Sequence, residues 1–266
     1  MKAVWAEAAL LWLHRGLLGI MVRRELSSRY AGSAAGIAWA FAQPMLTVAA
    51  YYLVFDVVFS MRMGSNAPTQ HVGTYLIVGS LPWLAFSEAL ARGAGSIVES
   101  GQLLQKNALP AVLLVARGVL ASGAVYIPLM LLLTLVYLPV SGLHFAILAV
   151  PLLIVLQWLL VLSLAYCLAI LAAALRDTLQ VLAFGLSIGI FLSPVLFPVT
   201  LFPENWRWLL YANPMSALVE GFQAVLLQGA WPHSHVWVIT LCWLSATTMV
   251  LGALVVRSRD ELVDWL

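Results

Sequence analysis

Polar positions in this chain are confined to short intervals between six long apolar stretches, and that alternation is the first thing that predicts its architecture. The stretches run from Gly36 to Phe59, Val72 to Ala91, Gly118 to Leu138, Phe145 to Leu175, Thr178 to Phe202 and Val236 to Val256. Each supplies the roughly 20 mostly apolar residues that a membrane-crossing helix needs. The first carries one charge, Asp56, near its end, the second carries Glu88, and the other four carry none. The expected fold is an all-α integral membrane protein with six transmembrane helices. Turn chemistry does not recur at ten-residue spacing, so a β-barrel is not competitive.

Composition supports the same class. The chain is 63% hydrophobic and 9% charged, against about 45–50% and 25% in ordinary soluble domains. A soluble protein or a disordered chain does not have these proportions. Two cysteines, Cys167 and Cys242, both inside apolar runs, do not make a disulfide scaffold. The net charge of +2 is too small to suggest a nucleic-acid partner. The basic residues are instead sorted by side. With six spans and both ends together, eleven of them (Lys2, Arg15, Arg23, Arg24, Arg29, Arg92, Lys106, Arg117, Arg176, Arg257 and Arg259) share one side. Arg62 and Arg207 take the other. The positive-inside rule then predicts cytoplasmic termini. The apolar residues after Lys2 lack a cleavage pattern and run into Arg15, so they read as mature protein.

Three segments outside the spans carry information. Residues 1–34 form a cytoplasmic N-terminus in which Arg15 to Ser33 interleaves charge with Leu17, Leu18, Met21, Val22 and Leu26, the pattern of an interfacial helix. Glu99 to Pro110 is a short polar cytoplasmic segment between spans two and three. On the outer side, within the 35–256 membrane domain, residues 203–230 open with aromatic-rich Glu204–Tyr211 and break at Asn213-Pro214. They continue as an apolar run from Met215 to Leu227 that ends at Gln228-Gly229. Thirteen residues are too few to cross, so this stretch reads as a re-entrant or interfacial helix pair. Residues 257–266 form a cytoplasmic tail.

Much catalytic chemistry is missing. The two lysines, Lys2 and Lys106, follow no glycine-rich phosphate loop, so the chain is not expected to hydrolyse ATP. There is no HExxH and no CxxC. His233 and His235 make a lone His-x-His in the outer loop, read as solvated rather than metal-bound, so neither a metal nor a catalytic residue is expected. Asp56, Glu88 and Glu220 are the candidate buried ionisable groups. They read at least as readily as groups reaching water or a neighbouring helix's donor as members of a proton path.

Three motifs in order resemble a known family. RRELSSRYAGSAAGIAWAFAQPMLT (Arg23 to Thr47) is similar to the opening signature of permease subunits of type-2 ABC exporters, in the polysaccharide-exporting branch and nearest its O-antigen type. LRDTLQVLAFGLSIGIFLSPVLFP (Leu175 to Pro198) resembles that family's cytoplasmic Arg-Asp and fifth span, and NPMSALVEGFQAVLLQG (Asn213 to Gly229) its outer Asn-Pro helix. The likeness covers nearly the whole chain.

The resemblance implies a homodimeric channel in a bacterial inner membrane that moves a lipid-linked polysaccharide. Two copies of a separate nucleotide-binding subunit would hold the ATP and Mg2+, leaving no cofactor on this chain. It implies ATPase coupling through Arg23, Arg24, Glu25 and Arg29 of the interfacial helix. A second coupling contact would come from Gln102, Leu103, Leu104, Gln105, Lys106, Asn107 and Leu109 in the short segment. Asn213, Pro214 and Glu220 would belong to an outer gate. For a threaded glycan, aromatic rings suit a lining of many weak contacts. Trp39, Tyr51, Tyr52 and Phe55 in span one, with Phe184 and Phe191 in span five, are candidates for it, and equally for packing or lipid contact. Glu25 and Arg29 at i,i+4 also serve simply as helix support. The alternatives are a capsule or teichoic acid exporter, a drug or lipid exporter of the same type, and a membrane enzyme acting on a lipid-linked sugar.

Overall fold

The computed structural model describes residues 2–60, 62, 68–101, 109–141 and 144–258. The described residues are helical throughout apart from turns and one isolated bridge between Arg62 and His71. Helices α1 (Lys2–Leu13) and α2 (Arg15–Arg29) precede the first apolar stretch. That stretch folds as α3 (Ala38–Tyr52), continued by a π-helical turn, Leu53–Val58. Then come α4 (Val72–Glu99), α5 (Ala111–Ser141), α6 (Ala149–Ala174) led in by a 3-10 turn at Phe145–Leu148, and α7 (Asp177–Gly189). The outer segment gives α8 (Arg207–Tyr211) and α9 (Ser216–Gln228), and α10 (Ser234–Ser258) follows.

Helix α4 is the axis of the bundle, packed by α5, α6 and α9, with α10 against α6. Its apolar window is 67% buried, whereas that of α3 with its π turn is 6% buried. Span one is therefore an outrigger whose apolar surface faces lipid or another chain. Polar side chains join the helices where nothing else competes for their hydrogen bonds. Gln157 Nε2 donates to Pro82 O at 3.0 Å, and the Ser163 and Thr247 hydroxyls meet at 3.0 Å. Gly93 permits the closest approach, because a Cβ there would lie 2.7 Å from both Ala165 and Val119.

Among the described residues, five helical segments are long and apolar enough to cross a membrane, not the expected six. The stretch from Thr178 to Phe202 is not one helix. Helix α7 ends at Gly189, turns follow through Val195, and a short 3-10 turn occupies Val199–Leu201. Pro194 and Pro198 explain the break: each lacks an N–H, and each disfavours the helical conformation for the residue before it. The N-terminal residues from Arg15 do fold as a helix, and so does the run after Asn213-Pro214, which closes on Gly229 in the left-handed region (φ +62°).

Candidate coupling and gate sites

The unwinding after α7 frees carbonyls from helical pairing, and such groups are stabilised by protein donors. The outer helices supply them. The Asn213 amide donates to Gly189 O at 2.9 Å and Leu192 O at 3.3 Å, while its own carbonyl accepts from Met215 N at 3.0 Å. Ser216 Oγ reaches Leu192 O at 3.4 Å, and Gln223 Nε2 and Tyr75 Oη each donate to Pro194 O at 2.7 Å. Asn213 and Pro214 thus sit where α8 and α9 clasp the broken end of α7. Helix α9 buries ten of its residues against α4, α5, α6 and α10.

Glu220 ties this outer assembly together. Its carboxylate accepts from Tyr211 Oη at 3.3 and 3.1 Å and lies 3.1 Å from His235 Nε2, so one side chain joins α8, α9 and α10. Burial and the adjacent Glu220 charge push the Tyr211 phenol above its usual range. His233 is not bound to this carboxylate but lies face-on to His235, with ring centroids 5.8 Å apart. Beside them is a cavity of about 230 Å³ lined by Tyr75, Thr200, Glu220, Gln223, Gln228 and His233 among others.

At the opposite end, the four charged residues expected on the interfacial helix divide into two pairs. Arg23 and Arg24 are exposed, while Glu25 and Arg29 turn inward onto the bundle. Arg29 Nε meets Glu25 Oε1 at 3.2 Å, and its Nη1 lies 3.6 Å from Glu88 Oε1 of α4. Glu88 also holds Arg92 Nε at 2.7 Å and accepts from Tyr126 Oη of α5 at 2.9 Å. Arg117 of α5 extends the chain of contacts. Its Nε is 3.3 Å from Glu25 Oε2, a charge contact without hydrogen-bond alignment, and its Nη2 donates to Ser100 Oγ at 3.1 Å. The Arg29 side chain is only 10% exposed, and its Nη2 is buried without a hydrogen-bond partner. Burial, then Arg92, pushes this guanidinium below its ordinary range.

Asp56 resolves into the plain reading. Its carboxylate accepts from Gly73 N at 2.9 Å and so caps the N-terminus of α4. A Cβ on Gly73 would meet that carboxylate at 2.8 Å, so a larger residue there would displace the Asp56 side chain. Of the candidate lining rings, Trp39, Tyr52, Phe184 and Phe191 are exposed on α3 and on α7 and the turn that follows it, while Tyr51 and Phe55 are half-buried. Ring contacts among the described residues do not join the two helices; Phe55 meets Phe59 in a tilted contact, with centroids 6.3 Å apart. Tyr52 lines an apolar cleft of about 700 Å³ between α3, α4 and α5. Of the short segment expected to couple, Leu109 is described and half-buried, and Gln102, Leu103, Leu104, Gln105, Lys106 and Asn107 lie outside the described residues.

Arg92, Arg117, Tyr126, Ser100, Tyr75 and Gln223 were absent from the sequence-based sites. The Glu88 and Arg92 pair, at i,i+4, was open to detection by spacing alone. The others become visible only when helices distant in sequence meet.

Comparison with known proteins covers the same length. Residues 16–227 match the profile of the family described as ABC-2 type transporter. The O-antigen export system permease protein RfbA of Myxococcus xanthus is 33% identical over 259 residues, covering 94% of this chain and 95% of that one. An O-antigen export system permease protein RfbA of Klebsiella pneumoniae is 21% identical, with 89% and 90% covered. The polysialic acid transport protein KpsM of Escherichia coli is 26% identical, with 90% and 91% covered.

Proposed function

This chain belongs to the ABC-2 type transporter family, and on that premise we propose that it is the membrane-spanning permease subunit of a polysaccharide exporter driven by a separate ATPase. The observation that carries this reading is the end-to-end similarity to export permeases named for O-antigen and for polysialic acid. The chain is a multi-pass membrane protein, and transport subunits are its relatives. The finer reading is a homodimer in the inner membrane, termini in the cytoplasm, bound to two nucleotide-binding subunits that carry the ATP and Mg2+. Its cargo is a lipid-linked glycan of O-antigen type.

Several features support that reading. The sparsely buried α3 and the exposed rings Trp39, Tyr52, Phe184 and Phe191 supply an apolar, aromatic surface for a second copy and for sugar faces between the two. On this reading the ATPase contacts come from Arg23 and Arg24, exposed on α2, and from the segment 102–109. In this reading α7 and the turns after it take the place of a sixth span, with its unwound end held beneath the re-entrant pair α8 and α9. Non-helical backbone at membrane depth is tolerated where protein supplies its hydrogen bonds, as the Asn213, Gln223 and Tyr75 side chains do here.

The test is co-purification from native membranes followed by mass spectrometry. An ATP-binding subunit in equal amount, with export abolished when it is removed, is the expected result. A chain that emerges alone and turns over a lipid-linked sugar would replace this reading with the enzymatic one.

A further inference from the structure

Five charged side chains from three elements gather at one end of the bundle. They are Glu25 and Arg29 from α2, Glu88 and Arg92 from α4, and Arg117 from α5. Simple helix support accounts for the two i,i+4 pairs. It does not account for the contacts between elements, Arg29 to Glu88 and Arg117 to Glu25. Nor does it account for the expense of holding Arg29 at 10% and Arg117 at 15% side-chain exposure. Burying such groups is costly, and removing one partner leaves the other as an uncompensated charge, so the set opens with difficulty once formed.

Arg117 occupies the decisive place. On one side it touches Glu25 of α2; on the other it donates to Ser100, the residue that ends α4 just before the short cytoplasmic segment. One guanidinium therefore connects α2 with both helices that flank residues 102–109. Helices α4 and α5 approach closely beneath it, since a Cβ on Gly118 would lie 3.1 Å from the carbonyl oxygen of Arg92. Tyr126 adds a second cross-link from α5 to Glu88.

We propose that Glu25, Arg29, Glu88, Arg92 and Arg117 form an ion-paired plate that makes α2 and the cytoplasmic ends of α4 and α5 move as one body. These are positioning residues for transport. A push received on the exposed face of α2, or on the segment after Ser100, reaches the same two spans without slip. The charges count three positive against two negative, and each carboxylate is shared by two arginines. This inference rests on the exporter reading above and assigns the parts through which the ATPase stroke enters the membrane.

The experiment uses the complete complex in inverted membrane vesicles, with the lipid-linked glycan extracted from the producing cells as cargo. It measures glycan taken up per ATP hydrolysed, together with subunit assembly and the thermal midpoint. Arg117→Met and Glu88→Gln are expected to assemble and hydrolyse ATP while transport per ATP falls by about fivefold or more, the scale on which residues along a coupling route act. Arg117→Lys keeps the charge but not the fork and should recover part of the ratio. Should Arg117→Met fail to assemble, Glu88→Gln, nearly isosteric and still able to accept from Tyr126, decides the matter alone. A wild-type transport-to-ATP ratio in the assembled variants, whatever their thermal midpoints, overturns the plate. Absence of ATP-driven uptake in the wild type would instead overturn the exporter reading itself.

Discussion

Removing the Asn213 side chain should loosen the outer assembly by a specific amount. Asn213→Ala deletes three hydrogen bonds: to Gly189 O at 2.9 Å, to Leu192 O at 3.3 Å and from Met215 N at 3.0 Å. Leu192 O keeps Ser216 Oγ at 3.4 Å, but the structure gives Gly189 O and Met215 N no comparable side-chain replacement. At about 1 kcal/mol net for each neutral bond, the loss is roughly 3 kcal/mol. Asn213→Asp discriminates further. It keeps the acceptor for Met215 N but points a carboxylate at two carbonyl oxygens, so at neutral pH it should be less stable than Asn213→Ala despite its closer shape. Equilibrium unfolding in mixed micelles, followed by tryptophan fluorescence, suits the test, because Trp83 packs directly against Gly189 and reports on the clasp. A loss for Asn213→Ala within the roughly 0.5 kcal/mol of an ordinary surface change, or an Asp variant more stable than Ala, would refute the clasp as the support of the broken helix.

Three other perturbations follow. Gly93→Ala places a methyl 2.7 Å from Ala165 and Val119 in the tight packing around α4. It should cost about 1–3 kcal/mol as overpacking, seen as a lowered thermal midpoint in detergent; an unchanged midpoint would count against the close approach. Tyr211 has its phenol raised by burial and Glu220, so its contribution is intact below the ordinary tyrosine value of about 10 and is lost as pH rises through the higher native value. Wild type should therefore lose more stability than Tyr211→Phe between about pH 9 and 11, and parallel curves would exclude the Tyr211–Glu220 bond as its origin. Phe184→Ala, at a ring that is 67% exposed, should leave folding within about 0.5 kcal/mol of wild type yet reduce glycan export. Full export would return Phe184 to the role of a lipid-facing ring.

The sequence by itself determined the class of solvent, the placement of the apolar segments and the family. Apolar runs of membrane length and the three motifs are local properties, and local pattern is enough to read them. The same holds for the helix of α2 and for the Asn213-Pro214 break. Tertiary structure decided the rest. Pro194 and Pro198 were visible in the fifth apolar stretch, but whether they kink a spanning helix or end it depends on donors for the freed carbonyls. Those donors, Asn213, Gln223 and Tyr75, come from elements up to 119 residues away. Glu25 and Arg29 looked like an i,i+4 pair on a surface helix; packing of α2 on α5 brought Arg117, and the nearby Glu88 of α4, to them. Glu220, chosen from its motif, gained meaning only when Tyr211 and His235 closed on it. Hydrophobic length is set by the lipid and is written along the chain, whereas a buried charge or an unpaired carbonyl is satisfied only by a partner that folding brings within reach.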